Sequence, residues 1–265
     1  MTRPREDADG RAAGKVVVVT GAAQGQGAAE AVALALEGAT VIGVDVKAPL
    51  EPIEGATYRT LDVSGEEQWA ELRDWLKQEF GALDGLVNNA AVTHRQRLGE
   101  VTVADLNRVL AINLTGPLLG IQTLSPLMTE GGSIVNVASI AALTGHYPPA
   151  YTASKWGLRG ISRVASMELG RFGIRVNTIF PGVIVTPMAA DAPEAFTRLV
   201  VDEIPLGRRG TAEDVAPLVV FLISEESSWI SGAEISVDGG QAAHGGMKSL
   251  ADAVRLATEG AASAQ

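Results

Sequence analysis

The chain has 265 residues, a length that one α/β domain or two small domains can fill, and 46% apolar with 20% charged residues excludes a wholly disordered chain. Its 31 acidic against 21 basic side chains leave a net charge of −10, so nucleic acid and anionic membranes are poor partners. The absence of cysteine excludes disulfides, a thiolate nucleophile and a Cys-ligated metal, and fits a reducing compartment.

Residues 1–13 are polar, and no apolar stretch follows their charges, so they read as a flexible tail and not as a secretory signal. The longest apolar runs, Val16–Val19 and Leu218–Ile223, fall far short of the ~20 residues a membrane helix needs. The expectation is a soluble cytoplasmic protein with no membrane partner.

Lys15–Thr20 (KVVVVT) reads as a buried strand, followed by a Gly-rich turn and an Ala-rich helix over Ala28–Glu37. Thr40–Asp45 is the second strand. Ser64 and Glu67 have capping-box spacing and predict a helix to about Phe80. Leu83–Val87 reads as a strand, and Thr102–Asp105 caps a helix running to about Gly116 or beyond. Gly132–Ala138 is a strand, Tyr151–Leu169 a long helix and Ile174–Phe180 another strand. Thr211–Asp214 caps a helix through Ile223, and Glu234–Val237 is the last strand. Repeated β-then-α units predict a single-domain, doubly wound parallel sheet with helices on both faces over residues 14–240, the Rossmann-type α/β class. Thr186–Arg209, with Pro187, Pro193 and Pro205, is long enough to be a lid or binding loop. Residues 241–265 form a C-terminal tail with a short helix at Ser249–Thr258, which either packs on a neighbouring subunit or frays.

The first strand ends in Thr20–Gly27 (TGAAQGQG). Its glycines permit a tight turn and close backbone approach to a pyrophosphate, and the following helix aims free N–H groups and its positive dipole end at the phosphates. Gly21, Gln24, Gly25, Gln26 and Gly27 are therefore candidate cofactor contacts. Asp45 ends the second strand 18 residues after Gly27, where a carboxylate accepts hydrogen bonds from the adenosine ribose and repels a 2′-phosphate. The expected cofactor is NAD, not NADP.

Tyr151 and Lys155 are four residues apart in a predicted helix, so they share a face. A nearby ammonium stabilises phenolate, which suits the phenol to exchange a proton with an alcohol or carbonyl oxygen. Ser139 ends the preceding strand, where its hydroxyl can bond the same substrate oxygen. Asn113 is a poor residue for a helix interior, which points to a local task such as holding a water or kinking the helix. The three histidines have no clustered spacing, so no metal site is expected, and His94 and His146 read as surface loop residues.

Together these residues resemble the short-chain dehydrogenase/reductase family from about Gly14 to Gly240. The resemblance rests on Thr20–Gly27, Leu61-Asp62-Val63, Asn88-Asn89-Ala90, Asn113, Ser139, Tyr151, Lys155, Pro181-Gly182 and Val237–Gly240. It implies that Tyr151 is the general acid/base and that Ser139 orients the substrate oxygen. Lys155 would bind the nicotinamide ribose and lower the Tyr151 pKa, and Asn113 would hold a water linking Lys155 to solvent. Asp62 and Val63 would contact adenine, Asn89, Ala90 and Ala91 would line the adenosine ribose near Ile112, and Pro181, Gly182, Ile184 and Thr186 would wall the nicotinamide. Two departures from the family pattern stand out: Ala91 where many relatives carry Gly, and a Ser139-to-Tyr151 spacing of twelve in place of thirteen.

Within the family, YTASKWGLRGISR, RVNTIFPGVIVTP and GAEISVDGG look like bacterial 3-alpha-(or 20-beta-)hydroxysteroid dehydrogenases. The implied reaction is hydride transfer between NAD and a small-molecule secondary alcohol or ketone. Val92, Thr93, His94, Ala141, His146, Tyr147, Val183 and Met188 are candidates for the substrate lining. Two alternatives remain open, a 3-oxoacyl thioester reductase and a non-catalytic dinucleotide-sensing protein. The family also implies a homotetramer, and Trp156, Leu158, Val164 and Met167 on the long helix are available for core or interface.

Overall fold

The computed structural model describes residues 10–49, 51–129, 131–190 and 194–263. Seven parallel strands form one sheet in the order β3-β2-β1-β4-β5-β6-β7: β1 (Val16–Thr20), β2 (Thr40–Asp45), β3 (Ala56–Thr60), β4 (Gly85–Asn88), β5 (Gly132–Val137), β6 (Ile174–Pro181) and β7 (Glu234–Val237). The order reverses between β1 and β4, and such a switch point opens a crevice at the carboxyl ends of the strands.

The four valines of β1 show why a continuous apolar run is needed. Val16 and Val18 face one helical layer, Val17 and Val19 the other, and all four are buried. The first layer packs α2 (Glu66–Glu79) through Trp69, Leu72 and Leu76, with Leu124 from the helix after β4. The second packs α1 (Gly25–Leu36) and a later helix through Leu34, Val215, Val219 and Leu222.

The sheet has one strand more than the sequence pattern predicts. β3 (ATYRT) lies at the sheet edge, is half exposed and carries Arg59, whose guanidinium stacks 4.3 Å from the Trp75 ring. Ala56 and Tyr58 turn to the core and Thr57 and Arg59 outward, an alternation of only two weakly apolar positions that is too short to reveal a strand. Helix α1 begins at Gly25, three residues before the expected Ala28, so the Gly-rich turn runs straight into it. Helix α2 is capped by Gly65 and not by Ser64, whose hydroxyl donates to Asp62 Oδ1 at 2.7 Å.

The Thr102 box does form: Asp105 N–H donates to Thr102 Oγ1 at 3.1 Å and opens α3 (Val103–Leu110). The chain then makes a π turn over Ala111–Thr115 before α4 (Gly116–Leu124). Asn113 sits inside that turn, so the expected irregularity is real and takes the form of an inserted residue.

Helix α5 (Pro149–Leu169) starts two residues early, with Pro149 in its first turn. The 186–209 stretch folds into α6 (Pro187–Ala190) and α7 (Glu194–Asp202), with residues 191–193, including Pro193, outside the described residues. Helix α8 (Ala212–Ile223) follows, and α9 (Lys248–Ser263) is longer than the helix expected there.

The start of the chain also differs from expectation. Residues 1–9 lie outside the described residues, but 10–13 are packed: Ala12 is 0% exposed and the Arg11 guanidinium pairs with Glu226 at 2.6 Å. Among the described residues no helix is long and apolar enough to cross a membrane.

Candidate active site

A cavity of about 710 Å³ opens along the carboxyl ends of β1, β2, β4, β5 and β6. One end is built by the β1–α1 turn. Gly21 (φ +69°) and Gly25 (φ +61°) occupy left-handed backbone, and a Cβ on Gly21 would come within 2.8 Å of Ala90 Cα. Gln24 caps α1 with no side-chain bond, and the first turn holds no acidic residue, so its N–H groups face the cavity uncompensated. Gly27 does not line the cavity. It lets α1 press on the loop after β4, because a Cβ there would overlap Gly21 O and Asn89 Nδ2.

Asp45 marks the far wall. Its Oδ2 accepts from Ala23 N–H at 3.1 Å and its Oδ1 from Lys47 N–H at 3.0 Å, which holds the carboxylate at the cavity edge. Asp62 and Val63 after β3, Asn89–Ala91 after β4, and Ile112 in the π turn line the same end. These residues fit a dinucleotide: a cradle that a Cβ would fill, an open helix N-terminus and a carboxylate at the end of β2 on the cavity wall.

The other end brings Ser139, Tyr151 and Lys155 into one wall, with Pro181, Gly182, Ile184 and Thr186 opposite. Ser139 Oγ accepts from Ala141 N–H at 3.2 Å and hydrogen-bonds the phenol. Lys155 is 2% exposed; its Nζ donates to the Val137 carbonyl at 2.8 Å and lies 5.7 Å from the Tyr151 ring centroid. Burial pushes the Tyr151 phenol above its ordinary value and the Lys155 amine down to about 7. The expected depression of the phenol by the lysine is absent, and burial dominates. Opposing it are the Ser139 hydrogen bond and the charge of Arg95.

Asn113 stands behind the wall and not in it. Its Oδ1 accepts from Val92 N–H at 2.8 Å, and its Nδ2 donates to Val92 O at 2.9 Å and to Ser154 Oγ at 3.1 Å. The side chain ties the loop after β4 to α5 through partners 21 and 41 residues away in sequence but adjacent in the fold.

The substrate lining is partly as expected. Val92, Thr93, Ala141, His146, Val183 and Met188 face the cavity, whereas His94 and Tyr147 do not. His94 Nε2 lies 3.3 Å from Asp105 Oδ1. His146 corrects the surface-loop reading: it lines the cavity, its Nδ1 is buried without a protein partner, and burial lowers its pKa. Sequence reasoning missed Arg95, Arg209, Phe196, Val200 and Gln241. The long 186–209 segment was the signal for three of them, while Gln241 comes from the expected tail.

A family model described as enoyl-(acyl carrier protein) reductase matches residues 21–242. The chain belongs to the short-chain dehydrogenase/reductase family. The trans-4-hydroxycyclohexanecarboxylate dehydrogenase of Sinomonas cyclohexanicum is 38% identical over 88% of this chain and 95% of its own. The 3-alpha-(or 20-beta)-hydroxysteroid dehydrogenase of Mycobacterium bovis is 39% identical over 88% and 92%. The crystal structure of levodione reductase superposes with a TM-score of 0.80 at 33% identity, covering 86% of this chain and 98% of that one. This short-chain dehydrogenase/reductase is an oxidoreductase acting on CH–OH groups of secondary alcohols and the matching ketones, not a non-catalytic sensor.

Proposed function

We propose that the enzyme is an NAD-dependent dehydrogenase of secondary alcohols borne on a saturated ring, a hydroxysteroid being one candidate. The observation that carries the reading is a single cavity with Asp45 at one end and Ser139, Tyr151 and Lys155 at the other. The relatives named for a hydroxycyclohexanecarboxylate and a hydroxysteroid support the ring.

NAD would lie with its diphosphate on Gly21, Gln24, Gly25, Gln26 and the α1 N-terminus. Its adenosine would meet Asp45, Asp62, Val63, Asn89, Ala90, Ala91 and Ile112, and its nicotinamide end Pro181, Gly182, Ile184, Thr186, Tyr151 and Lys155. When bound, it supplies the hydride-accepting ring and a positive charge beside the phenol. Tyr151 takes the carbinol proton during oxidation and returns it during reduction. Ser139 donates to the substrate oxygen and keeps it within reach of the phenol. Lys155 holds the cofactor ribose and favours phenolate, and Asn113 acts as a positioning residue through Val92 and Ser154. Asp45 opposes a 2′-phosphate, which weighs against the 3-oxoacyl thioester reductase alternative with its usual NADPH.

The exposed Trp156, Val164 and Met167 on α5 support a homotetramer, whereas Leu158 is core. Light scattering that reports only monomer at working concentration would refute the tetramer. A cytoplasmic location is supported by the cysteine-free composition. The test of function is a panel of cyclic secondary alcohols with NAD, followed by NADH absorbance. Tyr151→Phe should lose at least roughly a hundredfold in kcat while still binding NADH; wild-type turnover in that variant overturns the assignment.

A further inference from the structure

Beyond Ser139 and Tyr151 the cavity wall is largely apolar, formed by Val92, Ala141, Val183, Met188 and Phe196. Three arginines line the cavity, Arg95 from the loop after β4, Arg108 from α3 and Arg209 from the segment before α8. Among the described residues lining the cavity, the carboxylates are Asp45 and Asp62, and both stand at the adenosine end. The catalytic end therefore carries positive charge with no acid facing it.

That distribution is unusual for this chain, which has 31 acidic side chains against 21 basic. Neighbouring arginines do find acids: Arg208 pairs with Asp214 at 2.6 Å, and Arg159 with Glu234 at 2.7 Å. Among the described residues Arg95 instead makes one hydrogen bond, from Nη2 to the Met188 carbonyl of α6 at 2.9 Å. Its other N–H donors are left for a ligand. The group is also near the reacting centre, since its charge is felt by both the Tyr151 phenol and the His146 imidazole. A guanidinium in a partly dry wall prefers a planar anion that can accept two of its N–H groups.

Resting on the dehydrogenase reading above, we infer that the substrate is a hydroxy acid: its ring fills the apolar wall, its carbinol lies at Ser139 and Tyr151, and its carboxylate docks on Arg95. Arg209 adds to the positive field, and the Arg95 bond to Met188 lets the same side chain draw α6 over the bound acid.

The test compares trans-4-hydroxycyclohexanecarboxylate with its methyl ester, which keeps the ring and carbinol but not the charge. With NAD and wild-type enzyme, kcat/KM for the acid should exceed that for the ester at least tenfold. In Arg95→Gln this ratio should fall at least tenfold, mainly through KM, and Arg95→Lys should restore part of it. Any effect of Arg95 on the phenol acts on both compounds and cancels in the ratio. A wild-type ratio at or below one, or a ratio unchanged in Arg95→Gln, overturns the inference and leaves Arg95 as a tie to α6 only. The wild-type ratio decides by itself if the variant does not fold. Titration of cyclohexanecarboxylate, which has no hydroxyl, into the NADH-loaded enzyme separates this inference from the parent reading. Binding that weakens at least tenfold in Arg95→Gln, with no turnover of any ring alcohol, keeps the anion site and sinks the dehydrogenase assignment. Equal binding to both proteins sinks the anion site whatever the turnover.

Discussion

The Lys155 amine lies 5.7 Å from the centroid of the Tyr151 ring while donating to the Val137 carbonyl at 2.8 Å. The strand β5 thus holds the tip of the lysine, and the helix α5 presents both side chains to one wall. Because the amine is buried with a carbonyl as its partner and no carboxylate, its proton is held weakly.

Lys155 makes stability depend on pH in a stated direction. Its folded pKa is lowered to about 7 from 10.5, so between those values the unfolded chain binds the proton and the folded one does not. Stability from this group therefore rises with pH across that window and is least below it. Thermal melts of wild type and Lys155→Met from pH 6 to 10 should show wild type gaining on the variant as pH rises above 7. A constant difference would contradict the buried amine.

Glu30 acts in the opposite sense. It is 0% exposed on α1, its Oε1 accepts from Gln26 Nε2 at 2.9 Å, and its Oε2 has no partner. Burial raises its pKa to about 8 from 4.5, so folding keeps a proton that the unfolded chain loses, and its contribution falls as pH rises through that window. Glu30→Gln keeps a neutral polar group in the same space. Its melting temperature relative to wild type should climb between pH 5 and 8, by roughly 2–4 °C for each ~1 kcal/mol recovered. Parallel profiles for the two proteins would show that Glu30 is not held neutral.

Asp45 should set the choice of dinucleotide. Asp45→Ser removes the charge that repels a 2′-phosphate but leaves a short hydrogen-bonding side chain. The ratio of kcat/KM for NADPH to that for NADH should rise at least roughly tenfold, since one lost close charge repulsion is worth 1–2 kcal/mol or more in a partly buried site. Steady-state kinetics with both reduced cofactors and one ketone measures it, and an unchanged ratio would remove Asp45 from that role.

Gly27 is a packing requirement rather than a cofactor contact. A methyl there would overlap Gly21 O and Asn89 Nδ2, so Gly27→Ala must push α1 away from the loop after β4. A loss of about 1–3 kcal/mol in stability is expected, with weaker NADH binding because the Gly21 turn moves too. Denaturant unfolding and NADH fluorescence titration would register both, and a variant as stable as wild type would show that the loop yields freely.

The contrast between β1 and β3 shows what the chain's own letters reveal. Val16–Val19 must be buried on both faces, so a strand and a sheet covered on both sides follow from the residues alone. The edge strand Ala56–Thr60 satisfies only one face, and with just Ala56 and Tyr58 turned inward its period-two trace is too short to stand out. The Thr102 cap is local and legible, whereas the Ser64 hydroxyl turns to Asp62 and the cap position falls to Gly65, a competition between neighbours that spacing alone does not resolve.

The linear sequence determined the parallel α/β class, the Gly-rich turn, Asp45 at a strand end and the Tyr151–Lys155 pair, because each depends on contacts a few residues apart or on burial of whole runs. Only the tertiary structure decided how the cavity's catalytic end is furnished. Arg95, Phe196, Arg209 and Gln241 come from three separate stretches of chain, and their meeting rests on how long connections cross the carboxyl edge of the sheet. The same is true of the phenol's acidity: the lysine's position follows from helix geometry, but burial by the surrounding chain sets the direction of the shift, with Ser139 and Arg95 opposing it.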